Sequence, residues 1–262
     1  MTVAPAVALT IAGSDSSGGA GVVADTKTFA AHGVWATVAI TAVTAQDTMG
    51  VHDIHLVDAS TVVAQIRAVS ADLGVGACKT GMLGSASIVA AVADALVAVG
   101  YPIVVDPVLV STSGTALLSG DGPGVLRERL LPLATVVTPN LAEAALLTGL
   151  PVGTRDEIAA AARALVDLGC GAALVTGGHA PGDEVADCLV MGAAAPIWFC
   201  APRLVGGGSH GTGCVLSAAI TARLALGAEL APACEGAISF VRAAIGAGVK
   251  RGAGPAAAEP AS

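Results

Sequence analysis

The residues best suited to chemistry are His210-Gly211-Thr212-Gly213-Cys214, which open an Ala-rich stretch of helical character. The unpaired backbone N–H groups and the dipole of a helix start make an anion site, and glycines let a phosphate approach the backbone closely. The same residues also read as a Gly-rich cap with no ligand. Cys214 falls in the first turn, where the dipole lowers a thiol pKa and would let it serve as a base, although cysteines in such apolar company are more often inert core residues.

Other side chains could complete a phosphoryl-handling site. Asp106, at the end of an apolar run, and Glu143, in Asn140-Leu141-Ala142-Glu143, could reach a Mg²⁺ directly or through its waters, and each alone also reads as a turn residue or a helix cap. No Walker A loop is present, because Lys79-Thr80 follows Cys78 where that motif needs glycine, so a nucleotide would be held another way. Gln46, just after a buried run, carries an amide that both donates and accepts, as recognition of a heterocycle's amino group and ring nitrogen requires; the plainer reading is a loop side chain. Asp25 lies in mid-helix and, taken alone, reads as a solvent-facing charge. His52 and His55 are three apart in a strand-like run, which puts them on opposite faces and favours a half-exposed strand over a metal site.

Apolar runs of strand length alternate with amphipathic runs of helix length, the pattern of parallel strands joined by right-handed crossovers. Strands are expected at 7–12, 35–43, 76–80, 103–105, 135–138 and 172–176, then two short β runs at 187–191 and 196–200. Helices are expected at 20–32, 58–73, 86–99, 123–131, 140–148, 155–168, 211–226 and 232–249. Ligands of an open parallel sheet bind beyond the carboxyl ends of its strands. Polar or Gly-rich segments follow the strands at 13–19, 44–47, 79–82, 106–108, 138–140 and 176–179, so all would converge at one end of the sheet. With no internal repeat and no linker-like break, residues 1–251 are expected to form a single α/β domain, with 252–262 a disordered tail.

The chain has 262 residues, 54% hydrophobic and 12% charged, a composition that folds. A mean hydropathy of +0.79 raises the question of a membrane span. The best candidate, 88–105, carries Asp94 at its middle, which costs roughly 2.5–3.5 kcal/mol in a bilayer, so no membrane is expected. Thr2-Val3-Ala4-Pro5 has no basic n-region, and the expected location is the cytoplasm. A net charge of −8 without a Lys/Arg cluster argues against nucleic acid. The six cysteines, far apart and without C-x-x-C, fit a reducing compartment and no structural zinc.

Several segments in order, Ala8 to Asp15, Ser17-Gly18-Gly19-Ala20-Gly21, Lys79-Thr80-Gly81-Met82-Leu83 and Ser209 to Cys214, resemble hydroxymethylpyrimidine/phosphomethylpyrimidine kinases of thiamin biosynthesis. Ala24 to Thr28, Thr41 to Gln46, Val105-Asp106-Pro107-Val108, Thr138 to Ala144 and Gly177-Gly178-His179 match as well, so the resemblance spans about 7–250. It implies a ribokinase-like three-layer α/β sandwich with a central, mostly parallel sheet flanked by helices, a homodimer, and ATP and Mg²⁺ as cofactors. The implied reaction phosphorylates the aminopyrimidine 4-amino-5-hydroxymethyl-2-methylpyrimidine and then its monophosphate. A related pyridoxal kinase, or a heterocycle-binding sensor without turnover, are the alternatives.

The resemblance also implies residue roles. Gln46 would hydrogen-bond the aminopyrimidine, with Gly13, Ala20, Asp25, Met82 and the backbone at Val108 shaping the pocket. Gly211, Thr212, Gly213 and Cys214 would form the catalytic anion hole, with Cys214 where sugar kinases of the superfamily keep an aspartate base. Asp106 and Glu143 would serve Mg²⁺, and Asn140, Thr176, Gly178 and His179 the nucleotide. The chain departs from the family at Thr176, where many relatives have lysine, at Gly207-Gly208, where a polar pair is common, and in its ending, which keeps only Gly254-Pro255.

Overall fold

The computed structural model describes residues 4–111, 114–178, 180–204, 208, 210–248 and 250–260. Its centre is an eight-stranded sheet in the order β10-β9-β8-β7-β6-β5-β1-β2. The strands are β1 Val7–Ala12, β2 Trp35–Ile40, β5 Val75–Thr80, β6 Ile103–Val105, β7 Val136–Val137, β8 Ala172–Val175, β9 Glu184–Met191 and β10 Ile197–Pro202. Pairings from β2 through β8 are parallel, while β8, β9 and β10 are joined antiparallel.

Because side chains alternate across a strand, each buried strand supplies both faces. Ile103 and Val105 of β6 pack with helices α2 Ala59–Asp72, α3 Ala86–Leu96, α5 Leu141–Thr148 and α6 Arg155–Asp167, through Ile66, Val89, Leu147 and Leu165. Val104, between them, faces α7 Thr212–Ala225 and α8 Leu230–Ala247, joined there by Ala24 of α1 Gly21–Ala31. Three layers follow: helices, sheet, helices. By length and composition α8 alone among the described helices could cross a membrane, yet it carries Glu235 and Arg242 and lays Ala233, Ala237, Val241 and Ala244 into the core.

Three expectations need correction. The strand expected at 35–43 ends at Ile40: Thr41 gives its N–H to Ala12 and its hydroxyl to the Met82 carbonyl (2.6 Å), and the chain leaves the sheet as β3 Ala42–Gln46. β3 pairs with β4 Val51–Leu56 as a two-stranded flap; β4 is the half-exposed strand expected, but Val51 and Ile54 are half-buried and the rest exposed, so His52 and His55 are both exposed and the two-residue alternation is absent. The helix expected at 123–131 is the short α4 Gly122–Val125 followed by a wide turn at Leu126–Leu130 and a tight one at Leu131–Leu133, where Pro132 cannot continue the ladder. The segment 250–260 is packed, not loose: Ala258 is buried among α7 and α8, and Glu259 donates its N–H to Ala244.

Candidate active site

The sheet order sets out the site. From β1 the chain moves to β2, but from β5 it moves the other way to β6, β7 and β8, so the connections diverge and leave a crevice beyond the carboxyl ends of β1 and β5. The loop after β1 is tied around Asp15, whose carboxylate accepts from the N–H groups of Ser17 (2.8 Å), Gly19 (3.1 Å) and Ala20 (2.8 Å) and from the Ser17 hydroxyl (2.7 Å). His210 lies 3.3 Å away. Burial pushes the Asp15 carboxyl up, but the His210 and Ser17 hydrogen bonds outweigh it and leave the pKa lowered.

This loop meets the start of α7 almost backbone to backbone. Gly211 caps α7 with φ +77°, and a Cβ there would stand 1.9 Å from the Gly19 carbonyl oxygen and beside Ala20. Gly13, on the other side of the loop, faces Met82 and Ala42. Gly13, Ala20, Met82 and the 211–214 segment are thus brought together.

Beneath them is a buried charge cluster. Lys79 of β5 lies 3.0 Å from Asp25 and 3.8 Å from Asp106, and Thr10 donates to Asp25 at 2.6 Å. Ser217, one turn into α7, donates to Asp106 at 2.9 Å, so the end of β6 is latched to the helix start. Burial disfavours the Lys79 charge, but the charges of Asp25 and Asp106 beside it outweigh burial, raise the pKa and keep an ammonium. Asp25 therefore neither faces solvent nor lines a pocket: it is fully buried, with Thr10 on one oxygen and Lys79 on the other. Cys214 is also not the activated thiol its helix position suggested. Burial pushes its pKa up to about 12, with Lys79 opposing and Asp25 and Asp106 adding, so it stays protonated at neutral pH.

Asp106 faces a second carboxylate. Glu143 and Asn140 form a reciprocal capping box on α5: the Asn140 side chain accepts from the Glu143 N–H (3.0 Å), and Glu143 Oε2 from the Asn140 N–H (2.9 Å). Burial first, then Asp106, pushes the Glu143 carboxyl up to about 8. Thr138, which follows β7 as Asp106 follows β6, has a buried hydroxyl with no partner among the described residues. Two carboxylates and an orphaned hydroxyl are the donor set of a hard cation that keeps several waters and is completed by substrate phosphates, so Mg²⁺ fits here.

The remaining expected residues flank this centre. On the β2 side, Gln46 ends β3 and lines a cavity with Thr48, Met49, Ser111, His210 and Pro255. Val108, after β6, turns its N–H back to the Asp106 carbonyl. On the β8 side, Thr176 donates its N–H to the Pro139 carbonyl beside Asn140, and Gly178 is exposed, with nothing among the described residues that a Cβ there would touch. His179 and Gly207 lie outside the described residues. The loop after β8 is held by residues the sequence did not single out. Asp187 accepts from the Gly177 N–H (2.8 Å), and Arg203 donates to the carbonyls of Gly178 (2.6 Å), Gly182 (2.7 Å) and Ala180.

A family model described as phosphomethylpyrimidine kinase matches residues 15–258. The hydroxymethylpyrimidine/phosphomethylpyrimidine kinase of Rhizobium meliloti is 49% identical over 255 residues, covering 95% of this chain and 96% of the relative. Among solved structures, a phosphomethylpyrimidine kinase from Clostridium difficile superposes with a TM-score of 0.81 at 38% identity, covering 91% of this chain and 99% of the other. An ADP complex of Bacillus subtilis pyridoxal kinase superposes with a TM-score of 0.91 at 36% identity, covering 98% of both chains. With the ribokinase-like architecture and this extent of similarity, the chain belongs to the phosphomethylpyrimidine kinase family.

Proposed function

We propose that this chain transfers the terminal phosphoryl group of ATP to the hydroxymethyl oxygen of 4-amino-5-hydroxymethyl-2-methylpyrimidine, and then a second one to the monophosphate, in thiamin biosynthesis. The carrying observation is the layout along the sheet. The Gln46 cavity lies on one side, the Thr176–Gly178 loop on the other, and the 211–214 helix start stands over Asp106 between them. Neighbouring strands are about 4.8 Å apart, so β1 and β8, four steps apart in the sheet, are separated by about 19 Å, room for a nucleotide and a heterocycle placed end to end.

In this reading Gln46 addresses the aminopyrimidine edge, with Gly13, Ala20, Met82 and Val108 as walls. Asn140, Thr176, Gly178 and His179 hold the nucleotide. Gly211, Thr212, Gly213 and Cys214 receive the transferred group on backbone N–H groups at the positive end of α7, where developing charge is stabilised without reorganisation. Asp106 and Glu143 would hold Mg²⁺, which when bound neutralises charge on the phosphates. Lys79, tied to Asp25 and Asp106, keeps the buried carboxylates from repelling the incoming anion. A loose phosphoryl-transfer transition state asks little of a general base, which suits a Cys214 that remains a thiol. The active form is a homodimer, as the family resemblance implies.

The pyridoxal kinase among the structural neighbours keeps a second heterocycle in view, but the greater identity is to the Rhizobium meliloti relative. ADP release should be measured with Mg-ATP and, separately, the pyrimidine, its monophosphate and pyridoxal, with mass spectrometry of the products. Mono- and diphosphorylated pyrimidine are expected; pyridoxal phosphate alone moves the assignment to the vitamin B6 reaction, and heterocycle binding without ADP makes the protein a sensor.

Two substitutions divide the halves of the site. Gln46→Leu should raise KM for the pyrimidine about tenfold and leave KM for ATP within twofold; parallel increases would remove Gln46 from its role. Arg203→Gln frees three loop carbonyls, so KM for ATP should rise several-fold at an unchanged pyrimidine KM, and Arg203→Lys, without the planar fork, should rescue little. A pyrimidine KM that moved instead would place the 177–183 loop elsewhere in the reaction.

A further inference from the structure

The last residues of the chain touch three separate parts of the site. Gly254 donates its N–H to the Thr48 hydroxyl at 3.1 Å, joining the end of the chain to the flap loop between β3 and β4. His210, next to the 211–214 segment, donates its N–H to the Ala256 carbonyl (3.2 Å) and accepts from the Ala258 N–H (3.0 Å). A Cβ on Gly19, in the loop after β1, would lie 3.1 Å from the Ala257 methyl. Pro255, within this run, lines the same cavity as Gln46.

The fit leaves no slack. A Cβ on Gly254 would stand 1.7 Å from the Thr48 carbonyl oxygen, and one on Gly208 2.2 Å from that of Ala257. Gly252, with φ +93°, turns the chain into this path against the Thr48 side chain. Arg251 and Glu259 pair across the two ends of the segment, and Ala258 is anchored in the core. Ordering a Gly-rich segment costs about 1–2 kcal/mol per residue, which these contacts offset.

We propose that residues 252–258 are a strap that closes the heterocycle pocket and, by fixing the flap loop at Thr48, determines how tightly the pyrimidine is held. This rests on the assignment of the Gln46 cavity to the pyrimidine. The segment acts as a positioning element: Pro255 supplies wall, and the Gly254–Thr48 contact holds Gln46 and Met49 against His210.

Gly254→Val blocks the approach to Thr48, and Thr48→Val removes the hydroxyl while keeping the shape, so the second variant serves if the first fails to fold. With melting temperature as the folding control, KM for hydroxymethylpyrimidine should rise tenfold or more in Gly254→Val and about threefold in Thr48→Val. KM for ATP should stay within twofold, and calorimetric affinity for the pyrimidine without nucleotide should fall by the same factors. An unchanged pyrimidine KM in folded Gly254→Val and Thr48→Val overturns the strap, as do equal rises for both substrates. Gln46→Leu run in parallel separates the two readings: if it weakens the pyrimidine and the strap variants do not, only the strap is wrong; if none of the three matters, the cavity assignment falls with it.

Discussion

Gly211→Ala is expected to lower kcat/KM by about 100-fold or more and to lower the melting temperature by several degrees, a larger loss than Cys214→Ala. Two effects coincide at this residue. Its φ of +77° is a left-handed conformation costing an L side chain about 1–2 kcal/mol, and the added Cβ would lie 1.9 Å from the Gly19 carbonyl oxygen. Both atoms belong to backbone, so neither can rotate away. Either the loop around Asp15 or the first turn of α7 must shift by about an ångström, a misplacement that alone costs about 100-fold in a positioned reaction.

The neighbouring positions make the comparison sharp. A Cβ at Gly213 would meet nothing, so Gly213→Ala should fold like the parent, and Gly213→Val should lose activity at an unchanged melting temperature because its bulk fills only the space kept for a phosphate. Cys214→Ala removes a protonated thiol and leaves the backbone donors, so it should retain a measurable fraction of turnover. Steady-state kinetics with thermal melts on the four variants test the ranking. Equal losses in Gly211→Ala and Cys214→Ala would show that the thiol, not the helix-start backbone, carries the reaction.

How much of this could be read from the sequence depends on the range of the interaction. The parallel strands and their helices were legible because burial on both faces produces apolar runs that turn residues interrupt, and the strand-end segments followed from those. Thr41 was not: a threonine in an apolar run marks no break until the partners it bonds, Ala12 and Met82, are known to be adjacent. The misreading of Asp25 has the same origin. Its partner Lys79 is 54 residues away, and only the pairing of β1 with β5 makes the two charges neighbours. One signal was available, since Lys79 sits in an otherwise apolar strand and a buried ammonium demands a carboxylate. Helix position alone misjudged Cys214, because burial, with Asp25 and Asp106 nearby, pushes its thiol up. The terminus 252–258 looked loose because its contacts are made by backbone, and backbone contacts leave no trace in residue type apart from the glycines that permit them.

Glu143→Gln is expected to separate stability from activity. Burial beside Asp106 holds the Glu143 carboxyl at about 8 against an ordinary 4.5, so the native protein binds this proton more tightly than the unfolded chain. Stability then falls as pH rises between those values: the contribution of the bound proton is complete below 4.5 and is lost as pH passes 8. Each unit of such a shift corresponds to about 1.4 kcal/mol, which makes the loss several kcal/mol across the window. Glutamine still accepts from the Asn140 N–H and preserves the cap, but has no proton to lose. Without divalent cations, the parent's melting temperature should decline from pH 5 to pH 8 more steeply than the variant's, in which the buried Asp25, Asp106 and Asp187 carboxyls, also pushed up by burial, still lose protons, leaving the variant more stable at pH 8 by about 5 °C or more. Added Mg²⁺ should restore the parent at pH 8, because a cation that binds the ionised pair Asp106 and Glu143 favours the folded state, and should do little for the variant. Phosphoryl transfer by Glu143→Gln should drop by about tenfold or more over the same range. Parallel melting curves for the two proteins across pH would mean that Glu143 is ionised throughout, and its pairing with Asp106 would then require a resident countercharge other than Lys79.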